Sequence, residues 1–306
     1  MPNNSRDIKR RIKSVKNIGQ ITKAMELVSA AKMRKAQTSV LASRPYAVLS
    51  SNLLRGLMDK IDASKFPLIN RILPEGQKIV AQKVLIILMT SDRGLAGAFN
   101  NNVLNKALEI VKQDGAKEYD FITVGKKGAD ATRRMQQNII AAFPAKDRNV
   151  TILDAKPIAE IAIEGFLGSF SAEGGSASGG KYEKVFVVYA DFVSTLVQKP
   201  NLLQILPFSS SDGAAAVNFD DKFIFEPNQD RVLSDLIPKI IEFAIFQAMQ
   251  ETAASEHSAR MVAMRNANDA ARDLIDDLSL SYNQARQSGI TRELSEISAA
   301  KLAMEN

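Results

Sequence analysis

IKRRIKSVKNIGQITKAMELVSAAKMRK, residues 8–35, carries an apolar side chain at every third or fourth position: Ile8, Ile12, Val15, Ile18, Ile21, Met25 and Val28. That period marks a helix with one apolar stripe. No proline interrupts it before Pro45, so one helix is expected over roughly residues 5–57. The remaining faces are basic. Residues 1–45 hold eleven Lys and Arg against Asp7 and Glu26, a segment charge of +9 in a chain of net charge +6. Such a helix needs a partner for its seam, and its charge calls for an acidic one.

Working outward, residues 230–304 repeat the period. Leu236, Ile240, Phe243, Phe246 and Met249 begin a stripe that Met261, Met264, Ala267, Ala271, Leu274, Leu278, Tyr282 and Ala285 continue. Pro238 should restart or kink this helix. Gly289 weakens it by about 1 kcal/mol relative to Ala, while Ile290, Leu294 and Ile297 keep the pattern. Between the two ends the character changes. VLIILM (84–89), FITV (121–124) and VFVVYA (185–190) are short β-branched and aromatic runs, with helical stretches around 98–113, 126–137 and 157–169. That alternation predicts a parallel, Rossmann-like sheet. SAEGGSASGG (171–180) reads as a flexible surface loop.

Both end helices abut the same α/β region, so pairing their stripes makes them antiparallel, and near-heptad spacing favours a left-handed coiled coil. The expected fold is α/β: a long antiparallel coiled coil of N- and C-terminal helices (1–57 and 230–306) plus an inserted Rossmann-like domain (58–229). At 1.5 Å per residue the helices would be ~80 Å and ~110 Å long, with the second overhanging by roughly 30 Å. A slim rod of this kind suits a lever better than an enzyme.

Composition narrows the chemistry further. With no cysteine there is neither a disulfide framework nor a thiolate metal site, and the single histidine, His257, cannot build a His-rich one. No stretch nears the roughly 20 apolar residues of a membrane span. The basic N-terminus lacks a secretory h-region. It has the charge of a transit peptide, but its helical pattern continues unbroken into residues that read as mature structure.

The most site-like stretch is TSDRGLAGAFNNN (90–102), which follows a strand, contains two glycines and opens a helix, the setting of a phosphate cradle. Gly94 and Gly97 match neither dinucleotide nor P-loop spacing, so a structural junction is expected. Gly94 would supply an unusual backbone angle, and Asp92 and Arg93 polar contacts at the strand end. Glu256–His257 invites an acid–base reading, but a solvated histidine is expected. Asp269, Asp273, Asp276 and Asp277 read as a solvated face. Nucleic-acid binding by the basic helix lacks stacking aromatics, since Tyr46 is the first aromatic residue. Two other functions remain conceivable: a nucleotide-binding enzyme with helical arms, and a basic coiled-coil nucleic-acid binder.

Three stretches together resemble the gamma subunits of bacterial-type F-type ATP synthases, over nearly the whole chain: residues 12–37, SDRGLAGAFN (91–100), and EHSARMVAMRNANDAA (256–271) running on into YNQARQSGITRELSEI (282–297). The chain departs from the family in having Ala96, Gly97 and Ala98 where Cys-Gly-Gly commonly follows SDRGL. Ser288 and Gly289 also replace other small residues, and the regulatory cysteine insert of chloroplast relatives is missing. The resemblance implies a central rotor without catalytic residues, cofactor or metal of its own. Its partners would be three alpha and three beta subunits, epsilon and the c-ring, with no nucleic acid. Its place would be peripheral, at the cytoplasmic face of the bacterial plasma membrane. It also implies rotor–stator contacts at Lys23, Met25 and Arg260, and near the tip at Arg286, Gln287 and Thr291, with Asp92, Arg93, Gly94 and Gly97 as a structural turn.

Overall fold

The computed structural model describes residues 5–58, 66–69, 83–113, 118–146, 150–168, 181–208, 225–226 and 228–305. The Gly/Ser tract at 171–180 lies outside them. The elements run α1 (Ser5–Met58), β1 (Lys83–Met89), α2 (Phe99–Gln113), β2 (Glu118–Val124), α3 (Lys126–Arg134), β3 (Asn138–Phe143), α4 (Ile152–Leu167), β4 (Lys184–Phe192), β5 (Gln198–Leu206) and α5 (Gln229–Glu305). The three apolar runs are strands β1, β2 and β4, and the stretches between them are α2, α3 and α4. None of the described helices is long and apolar enough to cross a membrane.

By packing, the chain forms two units: residues 30–259, and residues 1–29 with 260–306. The first holds a five-stranded sheet of order β3-β2-β1-β4-β5. β1 pairs in parallel with β2 and β4, and β5 runs antiparallel to β4 at the edge. Successive side chains of a strand point to opposite faces, and here both faces are covered. Val84, Ile86 and Leu88 pack with Phe99, Val103 and Ala107 of α2. Leu85, Ile87 and Met89 pack with Ala155, Ile158 and Phe166 of α4 and with Leu233, Ile237 and Ile245 of α5. Burial on both faces is why β1 reads as an unbroken apolar run.

β1 leads through α2 to β2, and β3 leads through α4 to β4 on the other side of β1. The switch point of this doubly wound sheet therefore lies between β1 and β4. α4 opens where Asp154 accepts from the Thr151 N–H (2.9 Å), a capping box, and stops at Gly168, whose φ of 93° is the left-handed cap a glycine adopts freely. Pro238 lies ten residues into α5, inside the helix rather than in its first turn, and the helix also continues through Gly289.

In the second unit α1 and α5 lie antiparallel. Gly19 faces Asn268 and Ala271, and Glu26 faces Arg265. The seam departs from the apolar stripe expected from period alone. Ile8 is buried, but further along the buried positions are Thr22, Glu26 and Ser29, while Ile18, Ile21 and Val28 are each more than half exposed. A close helix approach favours small side chains. Gly19, whose added Cβ would sit 3.7 Å from Ala271 Cβ, sets the facing surface, and the larger isoleucines turn away. On α5, the expected Leu274 is likewise exposed, while Met264 and Ala271 are buried.

Candidate functional site

The β1–α2 turn is built from its own polar groups. Ser91 donates its N–H to Asn100 Oδ1 (3.0 Å) and its hydroxyl to the Arg93 carbonyl (2.7 Å). Asp92 Oδ1 accepts from the N–H groups of Lys126 (2.9 Å) and Ala145 (3.1 Å), tying the end of β1 to the start of α3 and the exit of β3. Thr90 Oγ1 accepts from the Gly128 N–H at 2.8 Å. The expected unusual angle at Gly94 is corrected: the positive φ values fall on Leu95 (62°) and Gly97 (57°). They flank Ala96, which is buried under α2, so the chain reverses on either side of the residue that must point inward.

Gly125 and Gly128, which the sequence reading did not single out, hold this junction together. Gly125 has φ 97°, and a Cβ there would meet the Thr90 carbonyl oxygen at 2.3 Å; one at Gly128 would meet Thr90 Oγ1 at 2.6 Å. A glycine pair three apart directly after a strand is the available signal, and it marks close backbone approach.

In doubly wound sheets, ligands bind in the crevice outside the carboxyl ends of the strands, at the switch point. Here α5 occupies that crevice. Thr252 Oγ1 reaches Met89 Sδ (3.8 Å), Ser255 Oγ donates to the Ala190 carbonyl (3.1 Å) and Ser258 Oγ to the Thr195 carbonyl (2.6 Å). Glu251 Oε2 accepts from the Phe192 N–H at 2.9 Å. From α1, Arg44 grips the same carboxylate with two prongs, Nε to Oε1 (2.9 Å) and Nη2 to Oε2 (3.0 Å), and Nη2 also donates to the Phe192 carbonyl (2.8 Å). Burial raises the Glu251 pKa, but the hydrogen bonds from Arg44 and Phe192 outweigh it and hold the carboxyl below its ordinary value. Asp191 alongside is raised, first by its own burial and then by Glu251. The strand ends that would face a ligand are thus bonded to the protein's own helix.

The expectation of a solvated His257 is overturned. His257 is 3% exposed and Glu256 is buried beside it, because this turn of α5 is enclosed on nearly every side.

Of the residues implied by the resemblance, Lys23 donates to Glu26 Oε2 at 2.9 Å, and Glu26 in turn meets Arg265 Nε at 3.3 Å. Lys23 and α5 therefore come together through Glu26, with Arg265 as the residue across the seam. Met25 is half-buried, and Arg260 is buried at 7% exposure. Arg286, Gln287 and Thr291 are exposed on α5, where the Thr291 hydroxyl donates to the Gln287 carbonyl. Asp269, Asp273, Asp276 and Asp277 are exposed, as expected of a solvated face.

The ATP synthase family profile matches residues 4–304. The ATP synthase gamma chain of Roseiflexus sp. (strain RS-1) is 42% identical over 302 residues, covering 98% of both chains, and that of Herpetosiphon aurantiacus is 42% identical over 307 residues at the same coverage. The chain belongs to the ATP synthase gamma-chain family. As a gamma chain it is a non-catalytic subunit of an ATP synthase complex. Its fold also matches a chain of the Euglena gracilis mitochondrial ATP synthase in rotational state 3, with TM-score 0.66, 20% identity, and coverage of 98% of this chain and 94% of that one. A chain of the Euglena gracilis rotor in rotational state 1 gives TM-score 0.63 at 19% identity, over 94% of this chain and 98% of that one.

Proposed function

We propose that this gamma chain is the central-stalk rotor of an F-type ATP synthase. It carries torque between a proton-driven c-ring and a head of three alpha and three beta subunits, in the direction of ATP synthesis or of ATP-driven proton pumping. The observation that carries this reading is a family match across the whole chain in a protein whose two end helices pair antiparallel. The catalytic sites belong to beta. The α/β unit would sit on the c-ring beside epsilon, at the cytoplasmic face of the bacterial plasma membrane.

Two features support a rotor turning inside other subunits. Ile18, Ile21, Leu27 and Val28 leave an exposed apolar band on α1, the kind of patch that a surrounding protein covers. The switch-point crevice is filled by α5, which suits a transmitter better than a nucleotide-binding enzyme. Lys23 and Met25, and Arg286, Gln287 and Thr291 further along α5, would touch successive beta subunits. Exposed polar contacts of this kind are worth only about 0–1 kcal/mol each, so one angle can be held and then released. Arg260, being buried, would act from within the helix pair. The turn at Asp92, Arg93, Gly94 and Gly97 is structural in this reading.

Co-expression with alpha and beta subunits tests the assignment. Native mass spectrometry should find one copy of this chain per three alpha–beta pairs, with ATP hydrolysis absent from the isolated chain. Robust hydrolysis by the chain alone would sink it.

A further inference from the structure

The end of β4 meets both long helices at one guanidinium. The Arg44 Nε N–H goes to Glu251 Oε1 at 2.9 Å. Its Nη2 carries two N–H bonds but faces three oxygens: the Phe192 carbonyl (2.8 Å), Glu251 Oε2 (3.0 Å) and Asp191 Oδ1 (3.2 Å). We propose that Asp191 and Glu251 hold a single proton between them, forming a proton-binding site where β4 joins α1 and α5.

Glu251 is served on all sides, by Arg44, by the Phe192 N–H (2.9 Å) and by Gln247 Nε2 (3.0 Å). Asp191 is the farthest of three oxygens competing for two hydrogens, and among the described residues no other donor reaches its carboxyl. Two carboxyls therefore share one guanidinium. Lys199, opposite Asp191 across the β4–β5 pairing, is exposed, so water screens it. Tyr189 stays neutral, because burial pushes its hydroxyl up to about 12. Two carboxylates crowded into one site resist ionising together, and one of them keeps its proton. Glu251, held ionised by its donors, is the acceptor. Asp191 is held above its ordinary value, first by burial and then by the hydrogen bond with Glu251, against the opposing pull of Arg44 and Lys199. Acid thus fastens this joint and alkali loosens it. The site is independent of the rotor reading, and its test uses the chain alone.

Carboxyl NMR of the full-length chain with isotope-labelled aspartate follows the Asp191 signal, assigned by its loss in Asp191→Asn. Its titration midpoint should lie above that of the exposed aspartates. In Glu251→Gln, which has no charge to share the proton, the midpoint should fall by roughly one pH unit or more. In urea, Asp191→Asn should raise the unfolding midpoint at neutral pH, and the gain should vanish in acid. A raised folded value leaves stability full below the ordinary aspartate range and lost as pH rises through the folded value. An Asp191 midpoint at or below that of the exposed aspartates overturns the proposal. So does one that Glu251→Gln leaves unmoved, since burial alone would then hold the proton. If circular dichroism shows Glu251→Gln unfolded, Asp191→Asn decides: a variant no more stable than wild type at neutral pH overturns the proposal.

Discussion

Glu26 turns its carboxylate into the α1–α5 seam, taking Lys23 from its own helix and Arg265 from the opposite one. The Lys23 hydrogen bond is the largest influence on its pKa; together with Arg265 it outweighs burial and holds the carboxyl below its ordinary value. A lowered folded value means that the ionised form is favoured by folding. The stabilisation is therefore present above the unfolded value and lost as pH falls through the folded one. Lys23 and Arg265 are 47% and 59% exposed, so water screens both. Glu26→Gln should accordingly cost only about 1 kcal/mol at neutral pH, and the gap from wild type should close in acid. Urea unfolding at a series of pH values measures it. Glycine substitutions at this scale should have opposite signs. Gly125→Ala drives a Cβ into the Thr90 backbone and should cost about 3 kcal/mol or more. Gly289→Ala meets nothing within 4 Å, and should firm up its stretch of α5 by about 1 kcal/mol. Denaturation midpoints report the first and amide exchange along α5 the second.

At the scale of elements, α5 covers one face of the sheet with Leu233, Ile237 and Ile245 and then fills the switch-point crevice with Thr252, Ser255 and Ser258. The clamp between Arg44 and Glu251 fixes α1 and α5 to the end of β4. Arg44→Ala leaves Glu251, 5% exposed, without its cationic partner, and should cost about 3 kcal/mol. Arg44→Lys should recover only part of that, because an ammonium cannot grip both carboxylate oxygens with two fixed prongs. The Arg44→Ala deficit should shrink in acid, since Glu251 is held below its ordinary value and its stabilisation disappears as it protonates. Urea midpoints at pH 7 and in acid test both statements. Two strands escaped the sequence reading, for physical reasons. β3 is a half-exposed edge strand reading NIIAAF, with too little β-branched character to stand out. β5 carries Pro200, tolerable because the strand is at the sheet's other edge.

At the scale of the whole molecule, Met25→Lys should disturb coupling more than folding. Met25 is half-buried, so the added ammonium can reach water, yet in the proposed complex it would meet the stator and trap one rotary position. In membranes bearing the assembled enzyme, ATP hydrolysis should persist while ATP-driven proton pumping falls several-fold. Normal pumping would show that the contact lies elsewhere.

By itself the sequence determined the two end helices, strands β1, β2 and β4, and the family, because each rests on local period, β-branched runs or contiguous motifs. Only the tertiary structure decided which face of each helix is buried. Beyond Ile8, the α1 seam passes through Gly19, Thr22, Glu26 and Ser29 rather than Ile18 and Ile21, since close approach and a shared ion pair outrank hydrophobicity there. The burial of His257 and the left-handed angles at Leu95 and Gly97 were likewise settled by neighbours distant in the chain, which no local pattern encodes.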